Sequence, residues 1–163
     1  LNLLKAFSLF KKRQQSGMKL VLAGRLAWKY QSFVKSLETY KYRDDVVLTG
    51  YLDETELAAL TGAAYALLYP SLHEGFGAPV LEAMPCDVPV ITSSGSSMQE
   101  IAGDAALYVN AEDQQSIAGN MMRIYKDETL RDQLIGKGRL LAQQYSWDRT
   151  AELLWGSIQE AIR

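Results

Sequence analysis

Residues 69–84 read Tyr-Pro-Ser-Leu-His-Glu-Gly-Phe-Gly-Ala-Pro-Val-Leu-Glu-Ala-Met, and this stretch decides which fold the chain adopts. An apolar run leads into it and ends at Pro70, a residue that interrupts strands. Two glycines flank Phe76 in the loop that follows, and Pro79 suits the first position of a helix. The stretch therefore predicts a strand, a glycine-rich loop and a helix, the unit from which open α/β sheets are built.

The start of this helix is predicted to attract an anion. Ala78 stands where the N-cap side chain would be, and alanine cannot accept a hydrogen bond from the first N–H groups. Uncapped N–H groups and the positive end of the helix dipole favour negative charge. Ligands of open α/β sheets also bind beyond the carboxyl ends of the strands, so we expect a phosphate group here.

Two carboxylates bracket the loop. Glu74 precedes it, and Glu82 lies one turn into the helix with a side chain that leans back toward the helix N-terminus. Carboxylates only accept hydrogen bonds, so they suit hydroxyl groups better than phosphates. A nucleoside diphosphate sugar fits, because Glu82 would hold its ribose and Glu74 its sugar. The alternatives are a plain turn with solvated glutamates, and a carboxylate pair for glycoside hydrolysis.

Short apolar runs alternate with helical patterns along the rest of the chain. Runs typical of buried parallel strands occupy residues 19–23, 46–49, 65–69, 88–92 and 106–109. Helices are predicted over residues 1–15, 28–40, 54–60 and 79–84. A further helix ends at residue 101, and the chain is predicted to be helical from residue 113 onward, with breaks near 126–127 and 145–146. The pattern predicts an α/β fold with a doubly wound, Rossmann-like parallel sheet, in one domain over residues 1–163.

Three local signals mark helix ends. Gly17 follows the first helix and is expected to cap its C-terminus. Asp53 with Glu56, and Ser96 with Gln99, have the three-residue spacing of N-cap pairs. Each pair is therefore expected to begin a helix.

The first element of the chain is unusual for this fold class. The chain starts inside a helix, whereas such a sheet starts with a strand that usually lies in the middle of the strand order. We expect that this first strand is absent from the 163 residues, and the alternative is an unusual topology.

The wording of the quoted stretch resembles a known family. Seven residues separate Glu74 from Glu82, in the context His-Glu-Gly-Phe-Gly-Ala-Pro-Val-Leu-Glu-Ala-Met, which is similar to the E-x7-E motif of glycosyltransferase family 4. Residues 47–57 and 89–109 are similar to further strand and loop segments of that family. The resemblance covers essentially the whole chain. It implies the C-terminal, donor-binding lobe of a retaining GT-B glycosyltransferase, which moves a sugar from a nucleoside diphosphate sugar to a saccharide or lipid acceptor.

The resemblance also implies roles for individual residues. Glu74 is the candidate catalytic residue and would contact hydroxyls of the donor sugar, while Glu82 would accept hydrogen bonds from the ribose. The backbone near the sugar and phosphates would come from Gly75, Phe76, Gly77, Val80 and Leu81. The residues against the base would be Gly50, Tyr51 and Leu52. For His73, two readings stay open: a donor to the sugar or a phosphate, or a structural residue at a strand end.

The sequence departs from the family pattern in three places. The basic pair that would clamp the diphosphate belongs after the absent strand, and Arg25 and Lys29 follow a different strand. Asp87 stands where glycine is usual, at a position expected to be left-handed. The acceptor would be bound by an N-terminal lobe that these residues do not include.

Composition limits the remaining functions. Lys and Arg number 17 against 19 Asp and Glu, a net charge of −2, so no basic excess suggests a nucleic-acid partner. With one His and one Cys, no recognisable metal cluster is present in the sequence, and we expect no cofactor besides the nucleotide-sugar substrate. No Gly-x-Gly-x-x-Gly follows a strand, which argues against a dehydrogenase. Low cysteine content and the lack of a signal peptide favour a cytoplasmic location.

Apolar residues of the C-terminal tail share one helical face: Ala151, Leu154, Trp155, Ile158 and Ile162. This face would either pack on its own domain or stay exposed and cause self-association. The sequence also leaves open peripheral membrane contact by a longer protein. A module that binds nucleotide but transfers nothing by itself is the alternative function.

Overall fold

The computed structural model describes residues 2–25, 30–95 and 97–162. Its helices are α1 (Asn2–Gln14), α2 (Tyr30–Glu38), α3 (Glu54–Gly62), α4 (Ala78–Ala83), α5 (Ser97–Ala102), α6 (Gln114–Lys126), α7 (Glu128–Ala142) and α8 (Trp147–Ala161). Its strands are β1 (Leu20–Ala23), β2 (Val46–Gly50), β3 (Leu67–Tyr69), β4 (Val90–Ser93) and β5 (Ala106–Val109). The predicted alternation of helices and strands is confirmed, and the predicted beginning of α2 at residues 28 and 29 lies outside the described residues.

The strands form two parallel sheets. β1 pairs with β2, and β4 lies between β3 and β5. Within the described residues no strand ladder joins β1 to β3, and every strand pair within the two sheets is parallel, as predicted for this α/β fold. In a doubly wound sheet the strands form two groups on opposite sides of a central strand, and this strand order explains the division. The described residues form these two groups, β1 with β2 and β3 with β4 and β5.

A small apolar cavity is lined from both sheets. Its volume is about 90 Å³, and its walls include Leu20 of β1 and Leu68 of β3. Phe7 and Phe10 of α1 and Ile124 of α6 close it. All three of these helix residues are buried, so α1 and α6 pack together over this part of the sheets.

A second core cluster supports the glycine-rich loop. It joins Val80 and Met84, at α4 and the 3-10 turn Met84–Cys86 that follows it, to Val90 of β4. Met98 and Ile101 of α5 belong to the same cluster. Burying side chains of this size stabilises the fold by about 1.5–3 kcal/mol each. The helix that starts at the loop is therefore held against β4 and α5.

The predicted start of α3 is confirmed in detail. The carboxylate of Asp53 accepts a hydrogen bond from the Glu56 N–H at 2.8 Å. The Glu56 carboxylate in turn accepts from the Asp53 N–H at 3.1 Å, which completes a capping box. The second predicted pair cannot be followed, because Ser96 lies outside the described residues. Gln99 Oε1 accepts from the Gly95 N–H at 3.3 Å.

The predicted cap at Gly17 is wrong. α1 ends at Gln14, and Gln15 takes the left-handed conformation with φ of 48°. The Gln15 N–H donates to the Lys11 carbonyl at 2.9 Å, which satisfies a carbonyl at the helix end. A non-glycine residue thus takes the position that the sequence assigned to the glycine two residues later. The expectation for Asp87 is confirmed, since its φ is 61°.

The apolar face of α8 remains exposed. None of the residues of α8 is buried, and Leu154, Trp155 and Ile162 keep 61%, 59% and 78% of their surface accessible. Of the two readings of this face, the structure favours the exposed one. Among the described residues, each helix is too short or too polar to span a membrane.

Candidate functional site

Three hydroxyl groups hold the backbone of the loop that precedes α4. Thr92 Oγ1, on β4, donates to the Tyr69 carbonyl at 3.0 Å. Ser93 Oγ, on the next residue of β4, donates to the Ser71 carbonyl, two residues after Tyr69. Ser97 Oγ, at the start of α5, donates to the Glu74 carbonyl at 2.9 Å. The segment from the end of β3 to Glu74 is therefore fixed by its neighbours at three points.

The side chain of Glu74 is held as well. Its Oε1 accepts a hydrogen bond from the Tyr69 hydroxyl at 2.8 Å, and both residues are half-buried. Burial raises the pKa of Tyr69 to about 12, together with the hydrogen bond to Glu74 and the charges of Glu74 and Glu82. The hydroxyl therefore stays protonated and donates throughout the physiological pH range. The carboxylate of Glu82 is close enough to contribute to the same shift.

Gly77 determines how the loop enters α4. It is the N-cap residue, with φ of 107°, and no side chain caps the helix there. The N-cap is thus one residue earlier than Ala78, where the sequence put it, although the expected lack of a side-chain cap is confirmed. A Cβ on Gly77 would lie only 2.1 Å from the terminal methyl carbon of Met98, which is fully buried. The glycine is therefore required by both backbone angle and packing.

Val80 and Glu82, both on α4, lie in different surroundings. Val80 is fully buried, and its N–H donates to the Gly77 carbonyl at 3.0 Å, so this residue serves the core. Glu82 is exposed and borders a cleft of about 900 Å³ together with Phe76 and Leu81. The far wall of this cleft comes from α7 and the start of α8, including Arg139 and Trp147.

His73 and Gly75 lie on the exposed part of the loop. The His73 carbonyl accepts a hydrogen bond from Ser71 Oγ at 3.3 Å, so the backbone of His73 contributes to the turn. A Cβ on Gly75 would meet no atom within 4 Å. The space beside Gly75 is therefore open to a ligand, and both readings of the His73 side chain remain.

The residues predicted to lie against the base belong to the other sheet. Gly50 ends β2, and its carbonyl accepts from the Gly24 N–H at 2.9 Å. Tyr51 is exposed, and the guanidinium of Arg25 lies 4.6 Å from the centre of its ring. Leu52 is half-buried. The side-chain hydrogen bonds and ring contacts of Gly50 and Tyr51 within the described residues run to Thr49 and Arg25, and the backbone of Gly50 pairs with β1 and Gly24, rather than with the loop of Glu74. Lys29, the other basic candidate, lies outside the described residues.

In residues 2–25, 30–95 and 97–162, no three His, Cys, Asp or Glu side chains are grouped as metal ligands would be. Sequence reasoning missed Tyr69 and the hydroxyls of Thr92, Ser93 and Ser97. The available signal was the position of a tyrosine at the strand end before Glu74, and the small polar loop after the next strand.

The chain is similar to known glycosyltransferases. Residues 1–141 match the family model described as glycosyl transferases group 1. The chain is 32% identical over 146 residues to O-antigen chain mannosyltransferase B of Escherichia coli. The aligned region covers 90% of this chain and 38% of that protein. The chain therefore spans well under half the length of this relative.

Solved structures share the fold. Sucrose-phosphate synthase from Thermosynechococcus elongatus superposes with a TM-score of 0.83 at 25% identity, over 99% of this chain and 42% of that chain. The HepE protein of Anabaena, in complex with UDP and glucose, gives a TM-score of 0.82 over 95% of this chain and 44% of that chain. Its identity is 17%, so this likeness concerns the fold alone.

The fold and the family model lead to one assignment. The α/β arrangement with parallel sheets is that of the C-terminal, Rossmann-like lobe of GT-B glycosyltransferases. The family match extends over both sheets and includes the loop from Glu74 to Glu82. The chain therefore belongs to the glycosyl transferases group 1 family.

Proposed function

We propose that this chain is the donor-binding lobe of a retaining, family 4-like glycosyltransferase, which moves a sugar from a nucleoside diphosphate sugar to a saccharide or lipid acceptor. The observation that carries the proposal is the arrangement of two glutamates around a glycine-rich turn. Glu74 is held by Tyr69 at 2.8 Å, Glu82 is exposed one turn into α4, and the space beside Gly75 is open. Two acceptor groups on either side of an uncapped turn match a ligand with hydroxyls at both ends.

Each part of the donor would have its own contacts. Glu74 would accept from hydroxyls of the transferred sugar, and Glu82 from the ribose. The backbone of residues 75–77, which is exposed at Gly75 and Phe76, would approach the sugar and the phosphates, with Leu81 beside them. Tyr51, with Arg25 stacked on its ring, would lie against the base. Because Val80 is buried and its N–H is already bonded, we assign it no contact beyond support of the turn.

The chemistry would rest on binding rather than on a protein nucleophile. N–H groups around the turn would stabilise the charge that develops on the leaving diphosphate. The acceptor oxygen would bond to the anomeric carbon on the face from which the diphosphate leaves, which keeps the anomeric configuration, and the departing phosphate would take the acceptor's proton. Glu74 would orient the sugar while the glycosidic bond breaks.

The donor and the acceptor differ in how far they can be specified. The relative from Escherichia coli is a mannosyltransferase by name, which favours a mannose donor and a role in polysaccharide synthesis for this protein too. HepE was solved with UDP and glucose, so UDP-glucose is the second donor to test. Because the chain spans 38% of the mannosyltransferase, we propose that the acceptor is bound outside these residues. By itself the chain would bind nucleotide sugar without transferring it.

Isothermal titration calorimetry with UDP, GDP, UDP-glucose and GDP-mannose tests the proposal. We expect one nucleotide and its sugar conjugate to bind. Glu82→Gln should weaken both about tenfold or more, since a hydrogen bond to a charged group is worth about 1.5–3 kcal/mol. Glu128→Gln is the control, because it makes the same change of charge at a residue of α7 that does not line the cleft beside Glu82. If none of the four compounds binds the unmodified chain, the donor-binding assignment is wrong.

A further inference from the structure

We propose that Tyr69 is a positioning residue for Glu74, whose hydroxyl occupies one carboxylate oxygen so that the other is presented to the donor sugar. This inference rests on the proposed function and adds a residue to it. Tyr69 is the last residue of β3, and Glu74 follows five residues later, beyond Pro70. The strand therefore supplies a rigid base for a contact that reaches into the loop.

Glu74 is fixed at both of its ends. The Tyr69 hydroxyl holds Oε1 at 2.8 Å, and Ser97 Oγ holds the main-chain carbonyl at 2.9 Å. A free glutamate side chain loses rotamer freedom when it is ordered. Here that loss is met on folding rather than on binding, so a sugar would find its acceptor already in place.

A phenol suits this role better than a cation would. It donates one hydrogen bond without neutralising the carboxylate, so Glu74 keeps its charge for the hydroxyls of the sugar. Burial, the hydrogen bond to Glu74 and the charges of Glu74 and Glu82 raise the pKa of Tyr69 to about 12, so the donor proton is retained in the pH range where enzymes of this class work. The geometry would therefore not change between neutral and mildly alkaline solution.

The chain contains a matched pair of tyrosines for a test. Tyr65, just before β3, also donates to a glutamate at 2.8 Å, but its partner is Glu128 of α7. Tyr69→Phe and Tyr65→Phe each remove a hydroxyl that donates to a carboxylate, and in both cases the tyrosine is half-buried. Only the first should affect a sugar bound at Glu74.

The readout is the ratio of two dissociation constants measured by calorimetry, GDP over GDP-mannose, or UDP over UDP-glucose if the chain prefers uridine. Tyr69→Phe should lower this ratio about 3- to 10-fold while the constant for the bare diphosphate is unchanged. In a Glu74→Gln background, Tyr69→Phe should produce little further loss, because the two residues act as one unit. Tyr65→Phe should leave the ratio as it is.

The outcomes separate this inference from the function on which it rests. If Tyr69→Phe leaves the ratio unchanged, or weakens the diphosphate and the sugar conjugate equally, Tyr69 does not position Glu74 and the inference fails alone. If the unmodified chain binds none of these compounds, the proposed function fails first. Circular dichroism melts of both phenylalanine variants establish that they remain folded during the comparison.

Discussion

Arg139 of α7 donates two hydrogen bonds to the carboxylate of Asp87, which lies 52 residues earlier in the chain. Asp87 ends the 3-10 turn that continues α4, so the pair ties α7 to the helix that carries Glu82. Asp87 also has the left-handed backbone that the sequence predicted from its place in a glycine position. The ion pair thus gives the aspartate a function that a glycine there could not have.

The ion pair between Asp87 and Arg139 makes the stability of the fold depend on pH. The two hydrogen bonds from Arg139 lower the pKa of Asp87 from its ordinary value of 3.8. An aspartate with a lowered pKa adds stability above 3.8, and that contribution is lost as the pH falls through the lower folded-state pKa. Asp87→Asn should therefore lower the melting temperature slightly at pH 7, less so in high salt, and should match the unmodified chain well below pH 3.8.

Asparagine is the suitable replacement because it tolerates the left-handed region as well as aspartate does. Asp104→Asn is the comparison, since Asp104 pairs with Lys137 of α7 at 2.7 Å and its pKa is lowered for the same reason. Both variants are followed by circular dichroism against pH. A destabilisation by Asp87→Asn that persists unchanged in strong acid would mean that the ion pair is not its cause.

Gly77→Ala tests the entry into α4. The added Cβ would meet both an unfavourable φ of 107° and the buried Met98 side chain at 2.1 Å. We expect a loss of about 1–3 kcal/mol in the free energy of unfolding, measured by urea denaturation. Gly77→Ala should cost less unfolding free energy when it is introduced into a Met98→Ala chain, because the clash with the Met98 side chain is then removed.

Gly75→Ala is the control within the same loop. A Cβ at Gly75 meets nothing within 4 Å, so this substitution should change the unfolding free energy by less than about 0.5 kcal/mol. It should nevertheless weaken nucleotide-sugar binding, since the open space beside Gly75 is where the donor is proposed to lie. Equal destabilisation by the two alanines would contradict the packing argument.

Much of the fold was predictable because its signals are local. The capping box of Asp53 and Glu56 and the short apolar strands each depend on neighbouring residues. The end of α1 was not, because glycine and glutamine compete for the left-handed position and Gln15 takes it two residues before Gly17. The pairing of the strands is not a local property either, since it depends on which strands lie side by side.

The contacts that support the candidate site were not predictable from the sequence. The spacing from Glu74 to Glu82 predicts the ligand, and that assignment stays a prediction, although the structure does place the two residues on either side of the turn. Tyr69 could not be recognised, because a tyrosine at a strand end is ordinary in sequence and its contact with Glu74 depends on how the loop folds back. The same holds for Ser97, which reaches Glu74 from a helix 23 residues later.

Hydrogen exchange tests the two-sheet arrangement. Within the described residues, β4 is the strand that is bonded on both sides, and all four of its residues are buried. Its amides should exchange most slowly, and those of β1 and β3 faster, because each of these strands has one bonded neighbour. Mass spectrometry of peptides from each strand would measure this. Protection of β1 equal to that of β4 would show that its second edge is covered in solution.

The exposed face of α8 leads to a prediction about assembly. Leu154, Trp155 and Ile158 form one apolar surface that remains 43–61% accessible, and exposed apolar patches favour association. We expect the mass measured by light scattering to rise with concentration from 18.2 kDa toward that of a dimer. Leu154→Lys combined with Ile158→Lys should keep the chain monomeric, since burying two lysines in an interface is unfavourable.

Glu160→Lys is the matched control for this prediction. Glu160 is exposed and lies on the opposite face of α8, so the substitution changes charge without touching the apolar surface. The Glu160→Lys chain should associate as the unmodified chain does. Association that survives the double lysine variant, or that disappears equally with Glu160→Lys, would mean that charge or another surface governs assembly rather than this face of α8.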